Sequence, residues 1–421
     1  MKICLLTPGY PRYKGDDSSV KDYLHDLGKN LTKSGIEVHV LAPHAEGINK
    51  EEVMDGVYIH RFQYFYPSSF QTLAYTVGIL EKIKTIEGKM QVPFFFLSLL
   101  FNTIKLIRKE KIDVINSHWL LPQGLVGAIC KKIFKIPHIS TIHAAGLFGL
   151  EHLPFKRKIA NFIVKNTDEI IVVSFYIGER LLHLISPELN KNTEKKLIIL
   201  PMGIDVQSFQ ITNNKIELLS EYKISSKFNL LFLGRLGEKK GIPYLINAMP
   251  SIISQIEDVN LIICGNGPLR KELEQLVKSM NLEKYVRFTG FVSNGEKIDY
   301  FHLADILIVP SIVAQSGDTE GLPVTILEGL AAGKPIIASD VSGVKDIIKD
   351  GYNGFLVEQK NPEQIEEKVL ELFDDEELRV RFSKNALETA KNYDWEVIGK
   401  TYMKIICFLC RSYNNEKEES I

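Results

Sequence analysis

Short apolar runs alternate along this chain with segments of helical length. In the first half, "KICLLTP" (residues 2–8) reads as a strand and "VKDYLHDLGKNLTKSG" (20–35) as an amphipathic helix closed by Gly35. "EVHVLAP", "DVINSHW", "PHISTIH" and "EIIVVS" follow as further strands, each separated by helical stretches. Short buried strands alternating with helices predict a parallel, doubly wound sheet.

The rhythm pauses near "KLIILPMGIDVQSF", and the polar stretch "QITNNKIELLSEYKISSK" leads into a second series. There "FNLLFLGRL", "NLIICGNGP", "VRFTGFV", "DILIVPS" and "PIIASD" are the strands. Two such series predict an α/β protein of two Rossmann-like lobes with a cleft between them. Ligands in lobes of this kind bind beyond the carboxyl ends of the strands. The tail returns to helix in "PEQIEEKVLELFDDEELRVRFSKNALETA" and "DWEVIGKTYMKIICFLC". The expected division is a first lobe over 1–206, completed by a helix over about 393–421, and a second over 207–392.

Composition narrows the class. The chain has 421 residues, 45% hydrophobic and 24% charged, enough for a separate core in each lobe. Its net charge of −1 supplies no basic field for nucleic acid. Cysteines 4, 130, 264, 407 and 410 are scattered among apolar runs, which fits reduced thiols in a cytoplasmic protein. The one CxxC, Cys407 to Cys410, lacks metal partners and reads as part of a buried helix. "MKICLLTPGYP" is broken by Pro8 and Gly9 too early for a signal peptide. "VPFFFLSLLFNTIKLI" (92–107) falls short of the ~20 residues that span a bilayer and is interrupted by Asn102 and Lys105. A core helix is one reading. Lys105, Arg108, Lys109 and Lys111 leave a peripheral contact at the cytoplasmic membrane face open as another.

Three stretches carry candidate chemistry. "FLGRLGEKKGIPYLINAM" ends a strand and opens a helix, with Arg235 and Lys240 in a glycine-bearing turn. Two cations beside helix N-terminal amides suit a diphosphate; a solvated basic loop is the plainer alternative. In "ICGNGPLRKELE", Gly265 and Gly267 would let the backbone approach a ligand, and Pro268 presets the first helical turn. Arg270 stands where a GxGxxG fingerprint needs its last glycine, which lowers the dinucleotide reading. "DTEGLPVTILEGLAAGKP" places Glu320 in a loop, Pro323 at the first helical position and Glu328 about one turn in. Such carboxylates can accept hydrogen bonds from sugar hydroxyls, or can act merely as a capping acid and an exposed helix acid.

The series "GRLGEKKG", "CGNGP", "FTGFV", "DILIVPS" and "EGLPVTILEGLAAGKPIIASD" resembles the nucleotide-sugar half of the family 4 glycosyltransferases, retaining enzymes with the two-lobed GT-B fold. "HWLLPQG" and "TIHAAG" resemble the family's acceptor lobe, especially in members that build exopolysaccharides or lipopolysaccharides. The resemblance implies that Arg235 and Lys240 neutralise a diphosphate leaving group, Glu328 binds the ribose and Glu320 the donor sugar. It implies that backbone around Val292 faces the base, and that Gly321, Leu322 and the neighbourhood of Pro323 meet phosphate or sugar. His143 matches the histidine that contacts the donor sugar near the anomeric centre. For His118 a structural role and an acceptor-wall role both stand.

Three departures from the family pattern bear on the acceptor side. The first turn, "TPGYPRYKGDDSSV", lacks two adjacent glycines. Gly15 can still approach the diphosphate, while Asp16 and Asp17 bring negative charge and suit an acceptor-side role. Met202 stands where many members have Asn, and no acid follows shortly after "TIHAAG".

The implied activity is transfer of a hexose from a UDP- or GDP-linked donor to a glycan or lipid-linked acceptor, without a cofactor or a required metal. A nucleotide-sugar 2-epimerase of the same two-lobe plan and a non-catalytic nucleotide-sugar binder are the rival expectations.

Overall fold

The computed structural model describes every residue except 17–21, 76–81, 84, 211–214 and 420–421. The chain divides into two compact units: Met1–Gly203 with Trp395–Ile421, and Ile204–Asp394.

The first unit is built on an eight-stranded sheet in the order β3-β4-β2-β1-β5-β6-β7-β8. The strands are β1 (Lys2–Leu6), β2 (Glu37–Pro43), β3 (Glu51–Met54), β4 (Val57–Phe62), β5 (Val114–His118), β6 (His138–Ile142), β7 (Glu169–Val172) and β8 (Leu197–Ile199). Neighbours pair in parallel except β3 and β4, which form an antiparallel hairpin at the sheet edge. The expected parallel sheet thus carries one antiparallel edge strand. The hairpin turns on Asp55 and Gly56, both at positive φ (50° and 84°), the backbone that tight two-residue hairpins demand.

Helix α1 (Asp22–Lys33) turns Leu24, Leu27 and Leu31 into the core. The C-terminal helix Trp395–Glu419 meets them with Trp395, Ile398, Tyr402, Ile406 and Leu409, one buried stripe at helical spacing. A Cβ at Gly203 would lie 2.4 Å from the Trp395 ring, so glycine is required there. Helix α2 (Ile86–Glu110) is longer than the 92–107 segment read from sequence; α3 (Leu125–Phe134) and α4 (Ala144–Glu151) follow β5 and β6.

The second unit has a six-stranded parallel sheet in the order β11-β10-β9-β12-β13-β14. Its strands are β9 (Phe228–Leu233), β10 (Val259–Cys264), β11 (Val286–Gly290), β12 (Ile306–Val309), β13 (Ile336–Ser339) and β14 (Gly354–Val357). Helices α5 (Ile242–Gln255), α6 (Asn294–Leu303) and α7 (Val324–Ala331) matter for the site. Strand order reverses between β1 and β5 in one unit and between β9 and β12 in the other. Loops leaving the carboxyl ends of those strands border the crevices that such sheets use for ligands. The two chain crossings run side by side, with Ile204 N–H donating to the Tyr393 carbonyl at 2.8 Å.

Candidate functional site

In the second unit, β9 delivers the chain into Gly234, Arg235 and a short turn over Glu238–Lys240. Gly241 then takes the left-handed conformation (φ 63°), and a Cβ there would lie 1.8 Å from the Pro310 carbonyl oxygen. The turn is thereby pressed against the loop that follows β12. Ile312 N–H donates to the Lys239 carbonyl at 2.9 Å, and Gln315 N–H to Glu238 Oε1 at 2.8 Å. These bonds carry Glu320 to the basic turn. Lys240 Nζ stands 3.2 Å and Lys239 Nζ 3.8 Å from Glu320 Oε1, and the carboxylate is 14% exposed. Burial alone would raise the Glu320 pKa; the two ammonium groups outweigh it and hold the carboxyl below its ordinary value.

Glu328 is buried on α7 and pairs through Oε1 with Lys297 Nζ of α6 at 2.6 Å. Pro323 is the N-cap, not the first helical residue, so the helix starts one position later than expected and Glu328 lies in its fifth position. Val292 and Leu322 pack against the unit's core, and Val292 directly precedes Ser293, which caps α6 through a reciprocal box with Glu296. Gly321 accepts a backbone hydrogen bond from Gly343 at 3.1 Å.

Gly265 and Gly267 stand against neighbouring backbone. A Cβ at Gly265 would lie 1.9 Å from the Gly234 carbonyl oxygen, and one at Gly267 would lie 2.4 Å from that of Leu236. These glycines let the loop after β10 pack onto the loop after β9, so they shape the basic turn from behind. Arg235 is exposed. The Lys240 ammonium lies over the Gly234 backbone, 3.6 Å from where a Cβ would stand there, beside the start of the arginine.

In the first unit, His143 is the N-cap of α4 at the end of β6 and is partly exposed. Its Nε2 lies 3.3 Å from His118 Nδ1 with the rings stacked at 5.6 Å, and Tyr23 tilts against it at 5.4 Å. His118 has no exposed surface, which corrects the acceptor-wall reading: it supports His143 from within. Asp16 is likewise corrected. Its buried carboxylate takes hydrogen bonds from Arg12 at 2.9 and 3.0 Å and from the Arg12 backbone N–H at 2.9 Å, so it folds the turn instead of facing an acceptor. Asp17 lies outside the described residues. Gly15 is exposed at φ 80° with open space around it, the conformation that favours glycine.

The rest of this turn is braced by groups that sequence reasoning did not single out. Tyr10 OH meets His25 Nδ1 at 2.8 Å, and His25 Nε2 meets Asp55 Oδ2 at 3.0 Å. Lys14 pairs with the same aspartate at 2.7 Å, and Arg61 donates to the Pro11 carbonyl at 2.7 Å. Lys239 and Lys297 were missed as well. A basic residue gives no local signal of which distant carboxylate it will meet.

Comparison with known proteins bears on the chain as a whole. Residues 20–208 match the family described as Glycosyltransferase Family 4, and residues 215–389 match Glycosyl transferases group 1. An uncharacterized glycosyltransferase of Methanocaldococcus jannaschii is 34% identical over 305 residues, 71% of this chain and 78% of the relative. A GDP-mannose-dependent phosphatidylinositol monomannoside mannosyltransferase of Mycobacterium tuberculosis is 28% identical over 254 residues, 60% of this chain and 64% of that one. The solved sucrose-phosphate synthase of Thermosynechococcus elongatus superposes with a TM-score of 0.77 at 20% identity, covering 98% of this chain and 99% of its own.

Proposed function

This chain belongs to the family 4 glycosyltransferases and has their GT-B fold, and from that premise we propose the reaction in detail. It moves a hexose from a UDP- or GDP-linked donor to a glycan or lipid-linked hydroxyl, with retention of anomeric configuration and without a required metal. The supporting observation is the contact of Lys240 and Lys239 with Glu320, in the turn that follows Arg235.

A diphosphate leaving group gathers negative charge as the anomeric C–O bond lengthens. Cations already in place meet that charge more strongly in the transition state than in the ground state. Lys240 and Arg235, with the free amides at the start of α7, are suited to that task. Glu320 and Lys240 pair directly at this turn. An arriving diphosphate draws the ammonium away and leaves the carboxylate open to sugar hydroxyls, so one ligand engages both groups. Glu328, held in place by Lys297, accepts from the ribose hydroxyls. His143 contacts the donor sugar near its anomeric carbon, held in orientation by His118 and Tyr23.

On the donor face that the phosphate leaves, the acceptor oxygen forms its bond to the anomeric carbon. The C–O bond to phosphate breaks, and the acceptor proton passes to the departing phosphate oxygen. The mannosyltransferase named above lends its GDP-sugar and its lipid acceptor to this proposal.

The experiment is a thermal-shift screen of UDP, GDP and their sugars, followed by transfer assays with the stabilising donor, with and without EDTA. Stabilisation by one nucleotide series, a transferred sugar of retained configuration by NMR and insensitivity to EDTA are expected. A new free nucleotide sugar formed from donor alone would make the protein an epimerase; binding without turnover would make it a binder.

A further inference from the structure

Helix α2 is apolar on two faces. Gln91, Phe95, Leu99, Thr103, Leu106 and Ile107 point inward, most of them into a cluster with Leu6, Phe62 and Tyr64. The opposite stripe, Ile86, Met90, Phe94, Leu97 and Phe101, repeats at helical spacing and is between 52% and 80% exposed. At 1.5 Å per residue it runs roughly 22 Å. Tyr66 and Phe70 are also exposed, on the segment that α2 holds through Gln91 to the Phe70 carbonyl (2.9 Å) and Ser98 to the Gln63 carbonyl (2.7 Å). This widens the stripe into a patch of a kind that soluble surfaces rarely leave open.

Charge marks one end of it. Lys105, Arg108, Lys109 and Lys111 are exposed on the last turns of α2, and Lys132 and Lys135 on the neighbouring α3, whose Phe134 ring lies 5.5 Å beneath the Arg108 guanidinium. Among the described residues, Lys109 alone of these cations has an acidic partner, Glu110 at 3.2 Å and Glu51 at 3.7 Å. Phe101, Ile104, Lys105, Arg108 and Lys109 line an open concavity of about 410 Å³ where the apolar and basic parts meet.

We infer that this face is a docking surface for an anionic lipid bilayer, with α2 lying in the plane of the interface. The helix is long and apolar enough to cross a membrane, but its inner face belongs to the core of the first unit, so it presents only its outer side. Aromatic and aliphatic side chains beside a row of cations complement acyl chains beneath acidic headgroups. A second copy of the chain would bring the same cations against one another wherever the stripes faced in parallel, and a neutral apolar partner would leave them unused.

The test uses the full-length chain in flotation with phosphatidylcholine vesicles, with and without 30% phosphatidylglycerol. The wild type should float with the anionic vesicles and release in high salt. L97S/F101S should lower the partition about tenfold or more, by removing apolar area. K105Q/R108Q should lower it about 25-fold, at about fivefold per cation. Melting temperatures should stay within a few degrees, because these side chains are exposed. Failure of the wild type to float, or flotation of both variants equal to that of the wild type, overturns the inference. A dimer that L97S/F101S dissolves, without vesicle binding, also overturns it and gives the stripe to a second copy. The inference stands apart from the donor reading: transfer to a soluble acceptor can succeed or fail without altering vesicle binding.

Discussion

The contacts of Glu320 and Glu328 make separable predictions. Lys240→Met leaves Glu320 with Lys239 alone and removes a cation from the phosphate position. A drop in kcat of about 10²-fold or more is expected, the size seen when one charge-stabilising group is lost. Lys297→Met acts differently, because Glu328 stays on its helix but loses the partner that orients it. Breaking such a pair should cost about 2–3 kcal/mol, below the cost for a fully buried pair. In kinetics the donor KM should rise about tenfold with kcat changed less, whereas an equal fall in kcat would remove Glu328 from substrate binding. The lowered Glu320 pKa also carries a sign. Stability from this group is full above its ordinary value near 4.5 and is lost as pH falls through the lowered folded pKa. Glu320→Gln should therefore flatten the acid limb of a melting-temperature profile, and an unchanged limb would deny the ion pair.

Among the elements, β6 shows how a buried polar group shapes a unit's pH response. His138 is fully buried between the Ser117 hydroxyl (2.8 Å) and the Asn166 carbonyl (3.0 Å), and burial lowers its pKa from 6.5 to about 4. The unfolded chain binds a proton where the folded one does not, so stability falls as pH drops from about 6.5 to about 4. The total is about 3 kcal/mol. His138→Gln should remove that slope from the denaturation midpoint measured between those values. Elements also show what the sequence made legible. The parallel strands were readable as short apolar-rich runs separated by segments of helical length, as in KICLL and ILIV. The β3–β4 hairpin is signalled locally only by Asp55-Gly56, and its short polar edge strand breaks the strand–helix alternation of the parallel sheet. β8 is only three residues long, and β14 opens on Gly354, which shortens its apolar run to three. Glu320, Glu328 and Lys240 in the second unit and His143 in the first stood out by local motif. Lys239, Lys297 and the Tyr10–His25–Asp55 chain depend on pairings that only topology creates. His118 was ambiguous for a related reason: burial of a strand-end side chain is decided by what packs over it.

At the scale of the whole molecule, the chain leaves its first unit at Gly203 and returns to it at Trp395. The return is specified by shape, because the indole fills the space that a side chain on Gly203 would take. Met202 is buried beside it in the same cluster, so the residue that departs from the family pattern serves packing there. The C-terminal helix therefore completes the core of the first unit while the second unit closes its own clusters without it. Trp395→Ala should cost the first unit about 3–5 kcal/mol. For a unit of this size that corresponds to a fall of roughly 10 °C in melting temperature. Calorimetry in the presence of the stabilising nucleotide can assign the loss, since a bound ligand raises only the transition of the unit that holds it. The nucleotide-insensitive transition should move down and the nucleotide-sensitive one should stay. Equal displacement of both would show that the units unfold as one cooperative body, and the closing helix would then stabilise the whole chain and not one unit of it.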